Sequence, residues 1–226
     1  MQLGVYQAIR GSRIQALRFD IITNNLANVD TPGFKKDKLS FDEFLQEHVR
    51  ADLSQGNMSY TGNPLDLALE GDGFFKVKTP NGIRYTRNGS FCLNADSILV
   101  TQNGDPVLGE NGVIFIQGND IVINTRGQVT VDETVVDTLS AATFVRPELL
   151  QKEGLSYYIY QGNQKEIITP EKVFFRQGYL ERSNVGVVEE MTKMIETLRT
   201  YEAYQRILQT FDETSHKSVN EVGRVQ

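Results

Sequence analysis

Two histidines, His48 and His216, and one cysteine, Cys92, are the side chains of this 226-residue chain best suited to acid–base, nucleophilic or metal chemistry near neutral pH. Each histidine falls in a stretch that reads as helical, among charged neighbours, and reads as a solvated surface group. Cys92 sits in an apolar, strand-like context and reads as a small buried side chain rather than a nucleophile. A single cysteine permits no intrachain disulfide. No pair of His, Cys or carboxylate residues has metal-site spacing, and no G-x-S-x-G or phosphate-loop motif is present. Gly71-Asp72-Gly73 has the glycines of an anion cradle, but a strand-like run follows it rather than a helix N-terminus, so it reads as a tight turn. The expectation is a protein that is not an enzyme, with no catalytic residue, no cofactor and no metal.

Charge narrows the field further. The formal net charge is −6, which argues for solubility and against a general nucleic-acid role. Trp is absent, and the aromatics do not interleave with a basic stripe. The first 40 residues are locally basic, with Arg10, Arg13, Arg18, Lys35, Lys36 and Lys38 against Asp20, Asp30 and Asp37; this reads as a solvated helix face. No run is long enough to span a membrane. The arginines interrupt what would be the apolar core of a secretory signal. The expected protein either stays in the cytoplasm or leaves by a route that does not read such a signal.

Chemistry being sparse, the two ends of the chain carry the pattern. Val187, Met191, Met194, Leu198, Tyr201 and Leu208 recur at spacings of 4, 3, 4, 3 and 7, with Gln205 on the missing beat. That is a seam that closes against another helix. A second seam runs through Val188, Ile195, Tyr204, Ile207 and Phe211. Glu189–Lys193, Glu202–Arg206 and Glu213–Lys217 have the favourable order for pairs four apart. With no Pro or Gly from Val187 to Glu221, a rod of roughly 50 Å is expected at ~1.5 Å per residue. At the other end, Leu3, Tyr6, Ile9, Ile14, Leu17, Ile21 and Leu26 lie mostly at helical spacing over 3–28. Asp30-Thr31-Pro32-Gly33 stops that helix, with Pro-Gly suited to the centre of a type II turn. The two terminal helices could pair antiparallel. The residues expected to pack against other subunits are Ile14, Leu17, Ile21, Leu26, Val187, Met191, Met194, Ile195, Leu198, Tyr201, Leu208 and Phe211.

Between the ends, Ser40 and Glu43 have capping-box spacing ahead of Phe41, Phe44, Leu45 and Val49, which predicts a short helix over about 41–50. A polar link follows over 54–63. Strands are expected at 74–78, 83–86, 98–101, 113–116, 121–124, 128–131, 141–145, 157–160 and 173–176. A helical turn is expected at 148–152. Asn81-Gly82, Asn88-Gly89, Asn103-Gly104, Asn111-Gly112 and Gly118-Asn119 supply the positive φ that hairpins need. The expected fold class is α+β: long N- and C-terminal helices pairing as a coiled-coil-like domain, with a β-rich, barrel- or sandwich-like central domain. The layout is an N-terminal helix of the core domain over 1–33, a connecting segment with a short helix over 34–64, a β-rich outer domain over 65–182, and a C-terminal helix over 183–226.

Several blocks carry a family likeness. Asn24-Asn25-Leu26-Ala27-Asn28-Val29-Asp30-Thr31-Pro32-Gly33-Phe34-Lys35 resembles the N-terminal signature of bacterial flagellar rod and hook proteins. Leu67-Ala68-Leu69-Glu70-Gly71-Asp72-Gly73-Phe74-Phe75 and Tyr85-Thr86-Arg87-Asn88-Gly89-Ser90-Phe91 resemble the start of that family's β domain. Gln177-Gly178-Tyr179-Leu180-Glu181-Arg182-Ser183-Asn184-Val185 and the stretch from Met194 to Tyr204 resemble its C-terminal blocks. The segment from Phe34 to Gln55 is short, as in the proximal-rod form of the family, and Tyr60-Thr61-Gly62-Asn63-Pro64-Leu65-Asp66 also resembles that form. The alternatives are the distal-rod form of the family and a monomeric β-domain binding module. The resemblance implies an axial structural subunit, exported unfolded by the flagellar type III apparatus without a cleaved signal. It implies a place in the basal-body rod within the periplasm, with copies of itself and other rod proteins as partners. Its terminal helices would build the drive shaft and export channel.

Overall fold

The computed structural model describes residues 2–41, 47–118, 120–154, 156–170 and 172–222. Helix α1 spans Gln2–Ala27, followed by strands β1 (Asp37–Phe41), β2 (Glu47–Ala51), β3 (Met58–Tyr60), β4 (Leu67–Glu70), β5 (Phe74–Thr79) and β6 (Gly82–Thr86). Then come β7 (Phe91–Leu93), β8 (Leu99–Thr101), β9 (Ile121–Ile123), β10 (Gln128–Val131), β11 (Thr134–Thr138) and β12 (Ala141–Phe144). The chain ends with β13 (Leu150–Glu153), β14 (Tyr157–Tyr160), β15 (Ile167–Ile168), β16 (Phe174–Gln177), β17 (Tyr179–Glu181) and helix α2 (Val187–Val222). Two units divide these elements: a helical unit of Met1–Ala27, Asp37–His48 and Gly186–Gln226, and a β body of Asn28–Lys36 and Val49–Val185.

In the helical unit, α1 runs uninterrupted to Ala27. Asn28, Thr31 and Phe34 then turn the chain: Thr31 N donates to Asn28 O at 3.2 Å and Phe34 N to Thr31 O at 3.2 Å. Gly33 takes φ 68° at the centre of the second turn, as the Pro-Gly pair predicts. Helix α2 opens at Gly186, whose carbonyl accepts from Glu190 N at 2.9 Å. Glu189 and Glu190 sit in its first turn, where the exposed N–H groups favour negative charge. Lys193 returns to Glu189 at 2.6 Å, the pair expected four residues apart.

The β body is built around a six-stranded antiparallel sheet ordered β13-β14-β6-β5-β12-β15. Because side chains alternate faces along a strand, neighbours part company: Phe75 and Ala141 join one apolar core with Leu67, Leu69, Leu99, Val129 and Phe175, while Phe74 and Ala142 join a second with Tyr85, Phe144 and Tyr158. Edge-to-face rings lock both layers. Phe75 meets Phe91 at 5.1 Å and Tyr85 meets Phe144 at 4.8 Å. The remaining strands form the three-stranded sheet β11-β10-β9 and the pairs β16-β4, β17-β3 and β7-β8.

Several expectations change. The β region is a set of small sheets and closes into no barrel. The helix expected over about 41–50 is absent from the described part of that stretch, where Phe41 ends β1 and Glu47–Ala51 is β2; residues 42–46 of that expectation lie outside the described residues, as does Asn119 of the Gly118-Asn119 turn. The alternation of Lys38, Ser40 and Arg50 with apolar neighbours suits a ladder, and Ser40 Oγ donates to His48 O at 3.1 Å. Residues 113–116 make isolated bridges at Val113 and Phe115 rather than a strand. The turn expected at 148–152 is a single 3-10 turn, Pro147–Leu149, that runs into β13. Within the polar link, Met58–Tyr60 pairs with β17.

Candidate assembly surface

α1 and α2 run antiparallel within the helical unit. The crossings are fixed by glycine on one helix and aromatic rings on the other. A Cβ on Gly11 would lie 2.4 Å from Cζ of Tyr204, and one on Gly4 would lie 3.1 Å from Cζ of Phe211. Glycine inside a helix costs about 1 kcal/mol relative to alanine; at Gly11 it is the residue that lets the Tyr204 ring reach the backbone. Farther along, Gln205 Nε2 donates to Ser12 Oγ at 3.3 Å and Asn25 Nδ2 to Glu190 Oε2 at 3.2 Å.

The covered row of α2 is Glu190, Met194, Thr197, Tyr201, Tyr204, Leu208 and Phe211, at spacings of 4, 3, 4, 3, 4 and 3. On α1, Ala8, Ser12, Gln15, Ile21, Ile22 and Asn25 are buried. Polar groups therefore occupy much of the junction between the helices. Asn25, 1% exposed, is held at three points: its Oδ1 accepts from Asp37 N at 2.8 Å, and its Nδ2 donates to Asp37 O at 2.9 Å and to Glu190. Glu190 also takes Lys193 at 2.9 Å. The junction is polar but bonded, so its burial carries little of the penalty of an unsatisfied group.

The sequence-derived packing residues divide across this junction. Ile21 is buried; Ile14, Leu17, Leu26, Met194, Tyr201, Leu208 and Phe211 are half-buried. Val187, Met191, Ile195 and Leu198 are exposed, with Ile195 at 53% and Leu198 at 42%. Val188 at 79%, Ile207, Tyr6 and Ile9 add to the open apolar surface. Beside Leu198 lies a mostly apolar groove of about 280 Å³, floored by Ala16, Phe19, Thr197 and Tyr201. Periodicity places an a/d seam on Val187, Met191, Met194, Leu198, Tyr201 and Leu208; Met194, Tyr201 and Leu208 lie in the covered row, while Val187, Met191 and Leu198 lie beside it, exposed. The signal that could have found the covered row is Gly4 and Gly11, seven residues apart, which mark where large rings approach.

The β body holds a buried charge cluster that joins three of the sequence blocks. Lys35 Nζ lies 2.6 Å from Glu181 Oε1, and Arg87 NH1 lies 3.3 Å from Glu181 Oε2, with all three side chains at most 2% exposed. Two cations share one carboxylate, and backbone carbonyls take further donors: Lys35 Nζ donates to Ser54 O at 2.6 Å and Arg87 NH2 to Gly71 O at 2.7 Å, while Arg87 Nε is buried without a hydrogen-bond partner among the described residues. Glu181 further accepts from Gly56 N at 2.8 Å, and its carbonyl accepts from Gly33 N at 2.7 Å. Arg87 stacks over the Phe74 ring at 5.0 Å. Burial lowers the Lys35 pKa from its usual value, with Glu181 opposing that and Arg87 adding to it. Burial likewise lowers Arg87, against the pull of Glu181 and Asp72. The Gly71-Asp72-Gly73 turn is tight, closing from Gly73 N to Gly71 O at 3.1 Å, and Gly71 O is occupied by Arg87.

His48 is exposed on β2 rather than on a helix. His216 is exposed on α2, 3.7 Å from Asp212. Cys92 is half-buried on β7, its thiol 3.8 Å from Thr101 O. Among the described residues no three His, Cys, Asp or Glu side chains converge as a metal site, and no helix is long and apolar enough to cross a membrane.

Comparison with known proteins decides the family. Residues 6–35 match a family model described as "Flagella basal body rod protein", residues 68–131 one described as "Flagellar hook protein FlgE/F/G D1 domain", and residues 176–221 one described as "Flagellar basal body rod FlgEFG protein C-terminal". The chain is 36% identical to the flagellar basal-body rod protein FlgF of Caulobacter vibrioides, over 95% of this chain and 96% of that protein. The chain belongs to the flagellar basal-body rod protein family. Members named FlgG are similar as well: 31% identity to that of Buchnera aphidicola subsp. Schizaphis graminum, covering 92% of this chain and 95% of that one, and 28% to that of Bacillus subtilis, covering 97% and 99%. These relatives are structural rod proteins of the basal body, not enzymes. The end of α1, the middle of α2 and the charge cluster fall on the blocks that carry the family resemblance.

Proposed function

We propose that this chain is a subunit of the proximal rod, and that copies of it associate helically through α1 and α2 to build part of the drive shaft and the wall of its export channel. The observation that carries the reading is the open apolar surface of the helical unit. Val188, Met191, Ile195, Leu198 and Ile207 stay exposed although α2 already has an intramolecular partner. Covering half-exposed side chains of this size contributes about 1 kcal/mol apiece, and identical head-to-tail contacts that do not close generate a helical array. The partners are copies of the chain and neighbouring rod proteins in the periplasm, and the chain reaches them through the flagellar type III export apparatus. Coiled-coil-like packing of the helices would then be shared between subunits. Similarity to FlgF over nearly the whole chain supports the proximal position. The similarity to FlgG proteins favours the distal rod as the second reading.

Leu198→Asp tests the assembly. The purified variant is expected to keep the thermal melt of the unaltered chain, yet to leave cells without assembled rods and non-motile. Motility equal to that of cells carrying the unaltered chain overturns the reading. Leu208→Asp is a poorer probe, because Leu208 is part of the covered row and its loss disturbs the helix pair itself. Complementation of strains lacking either the proximal or the distal rod protein separates the two positions.

A further inference from the structure

Within the β body a cleft of about 310 Å³ opens where the Thr31 turn, the end of β6, the turn after β8 and the connection from β13 to β14 converge. We propose that this cleft binds a neutral saccharide, a role separate from subunit assembly and independent of the reading above.

The described lining disfavours other ligand classes. Its carboxylate, Glu153, is engaged by Arg84 through both Nε and NH2, so among the described residues the site presents neither a free anion for a cation nor a free cation for a phosphate. Among the described residues no aliphatic side chain larger than threonine lines it. The described lining thus gives an apolar ligand or the side chains of a bound peptide no aliphatic pocket to fill. What remains is amide and hydroxyl. Asn88 Oδ1 is used by Ser90 N at 3.0 Å, which fixes the amide and leaves its Nδ2 without a partner among the described residues. Gln102 Nε2 reaches Ser90 Oγ at 3.3 Å and leaves its Oε1. Asn103 Nδ2 reaches Tyr157 Oη at 3.3 Å and leaves its Oδ1. The Ser156 hydroxyl also lines the cleft. A donor and two acceptors on planar, oriented amides suit ligand hydroxyls, each of which both gives and takes a hydrogen bond.

Tyr157 provides the wall. Its hydroxyl donates to Asp105 Oδ2 at 2.7 Å and lies 3.0 Å from Thr101 Oγ1. Burial raises its pKa from the usual value, so the phenol stays protonated and anchored. A half-buried ring held in this way is proposed to pack on the C–H face of a sugar ring, with the surrounding amides meeting its equatorial hydroxyls. The volume lies at the low end of the ~300–1,000 Å³ span of ligand sites, which suits a short stretch of saccharide bound weakly.

The test is amide NMR of the full chain titrated with cellotriose and with chitotriose. Both, or one, should shift the amides of Asn103, Gly154 and Ser156 in a saturable way, with dissociation constants of about 1 mM. Asn103→Ala with Gln102→Ala should weaken that binding about tenfold or more, and Ser156→Ala, tested alone, should also weaken it, in each case with the spectrum of the β body otherwise unchanged. Absence of saturable shifts up to about 20 mM with either sugar overturns the proposal. So does an equal or stronger response of the same amides to inorganic phosphate or to tri-alanine, which would assign the cleft to an anion or a peptide. Binding undiminished in the folded variants would place the sugar elsewhere and overturns it as well.

Discussion

Leu67, Leu69, Phe75 and Val129 of the β body are wholly covered, whereas the covered positions of the helical unit include Ser12, Gln15, Asn25, Glu190 and Thr197 while Met191, Ile195 and Leu198 lie open. The β body follows the ordinary rule for a self-sufficient core, with aromatic layers on both faces of its main sheet. The helical pair departs from it. Hydrogen bonds, and glycines that meet Tyr204 and Phe211, hold the two helices in register, and part of the apolar surface is turned outward. A core of the first kind is complete in one chain. A pair of the second kind is stable enough to exist and still carries the surface that a neighbour would cover. On the proposed function, the contrast would divide folding and assembling between two regions of one chain.

Four substitutions test this contrast between the β body and the helical pair. The largest effect is expected at Glu181→Ala. It leaves Lys35 and Arg87 buried without their shared carboxylate, a loss of about 3–5 kcal/mol for a broken buried ion pair. Denaturant unfolding followed by near-ultraviolet signals from the β-body aromatics measures it; an unchanged midpoint would mean that the cluster contributes nothing to the body. Next is Gly11→Ala, whose new Cβ meets the Tyr204 ring and should cost about 1–3 kcal/mol as overpacking. Faster hydrogen exchange along α1 and α2, with the β body protected as before, is the expected pattern. A gain in stability would mean that helix propensity outweighs the close approach.

A smaller effect is expected from pH. The pKa of Lys35 in the folded β body lies below its usual value of 10.5, so between the folded and unfolded values the unfolded chain holds the extra proton. Stability contributed through this group therefore rises with pH across that alkaline window, and its charging penalty is full below it. Tyr85 and Tyr157, raised by burial, act in the opposite sense. The readout is thus the difference in stability between the unaltered chain and Lys35→Met as pH is raised toward that value. A difference independent of pH would remove the burial of this charge from the account. Smallest of all is Ile195→Ser, which should alter the stability of the isolated chain by no more than about 0.5 kcal/mol, as an exposed position does. A clear loss would show that Ile195 already packs within one subunit, and the contrast between the two regions would narrow.

Much of this layout was legible beforehand. Helix α1 ends close to where Asp30-Thr31-Pro32-Gly33 stops it, because proline and a positive-φ glycine cannot continue a helix. Strands β10 and β14 have the bounds expected, and β5, β6 and β12 differ by a residue at an end, since alternating apolar residues between Asn-Gly turns have few other ways to bury one face. The stretch around 41–50 failed because a capping-box spacing is a short local signal that a ladder overrode at its described ends. The cleft was not visible, since its amides are ordinary turn residues until four turns bring them together.

That two long helices flank a strand-rich middle, and that those helices carry apolar residues on more than one face, follows from the order of residues alone. Local periodicity and turn chemistry act over a few residues, so a linear reading reaches them. Tertiary structure decided which row of α2 is covered, because adjacent rows on a helix differ by a rotation that spacing does not fix and that the fit of Tyr204 over Gly11 does. It also decided that Lys35, Arg87 and Glu181, distant along the chain, share one buried site. Charges so far apart in sequence acquire a common environment only when the intervening strands have packed.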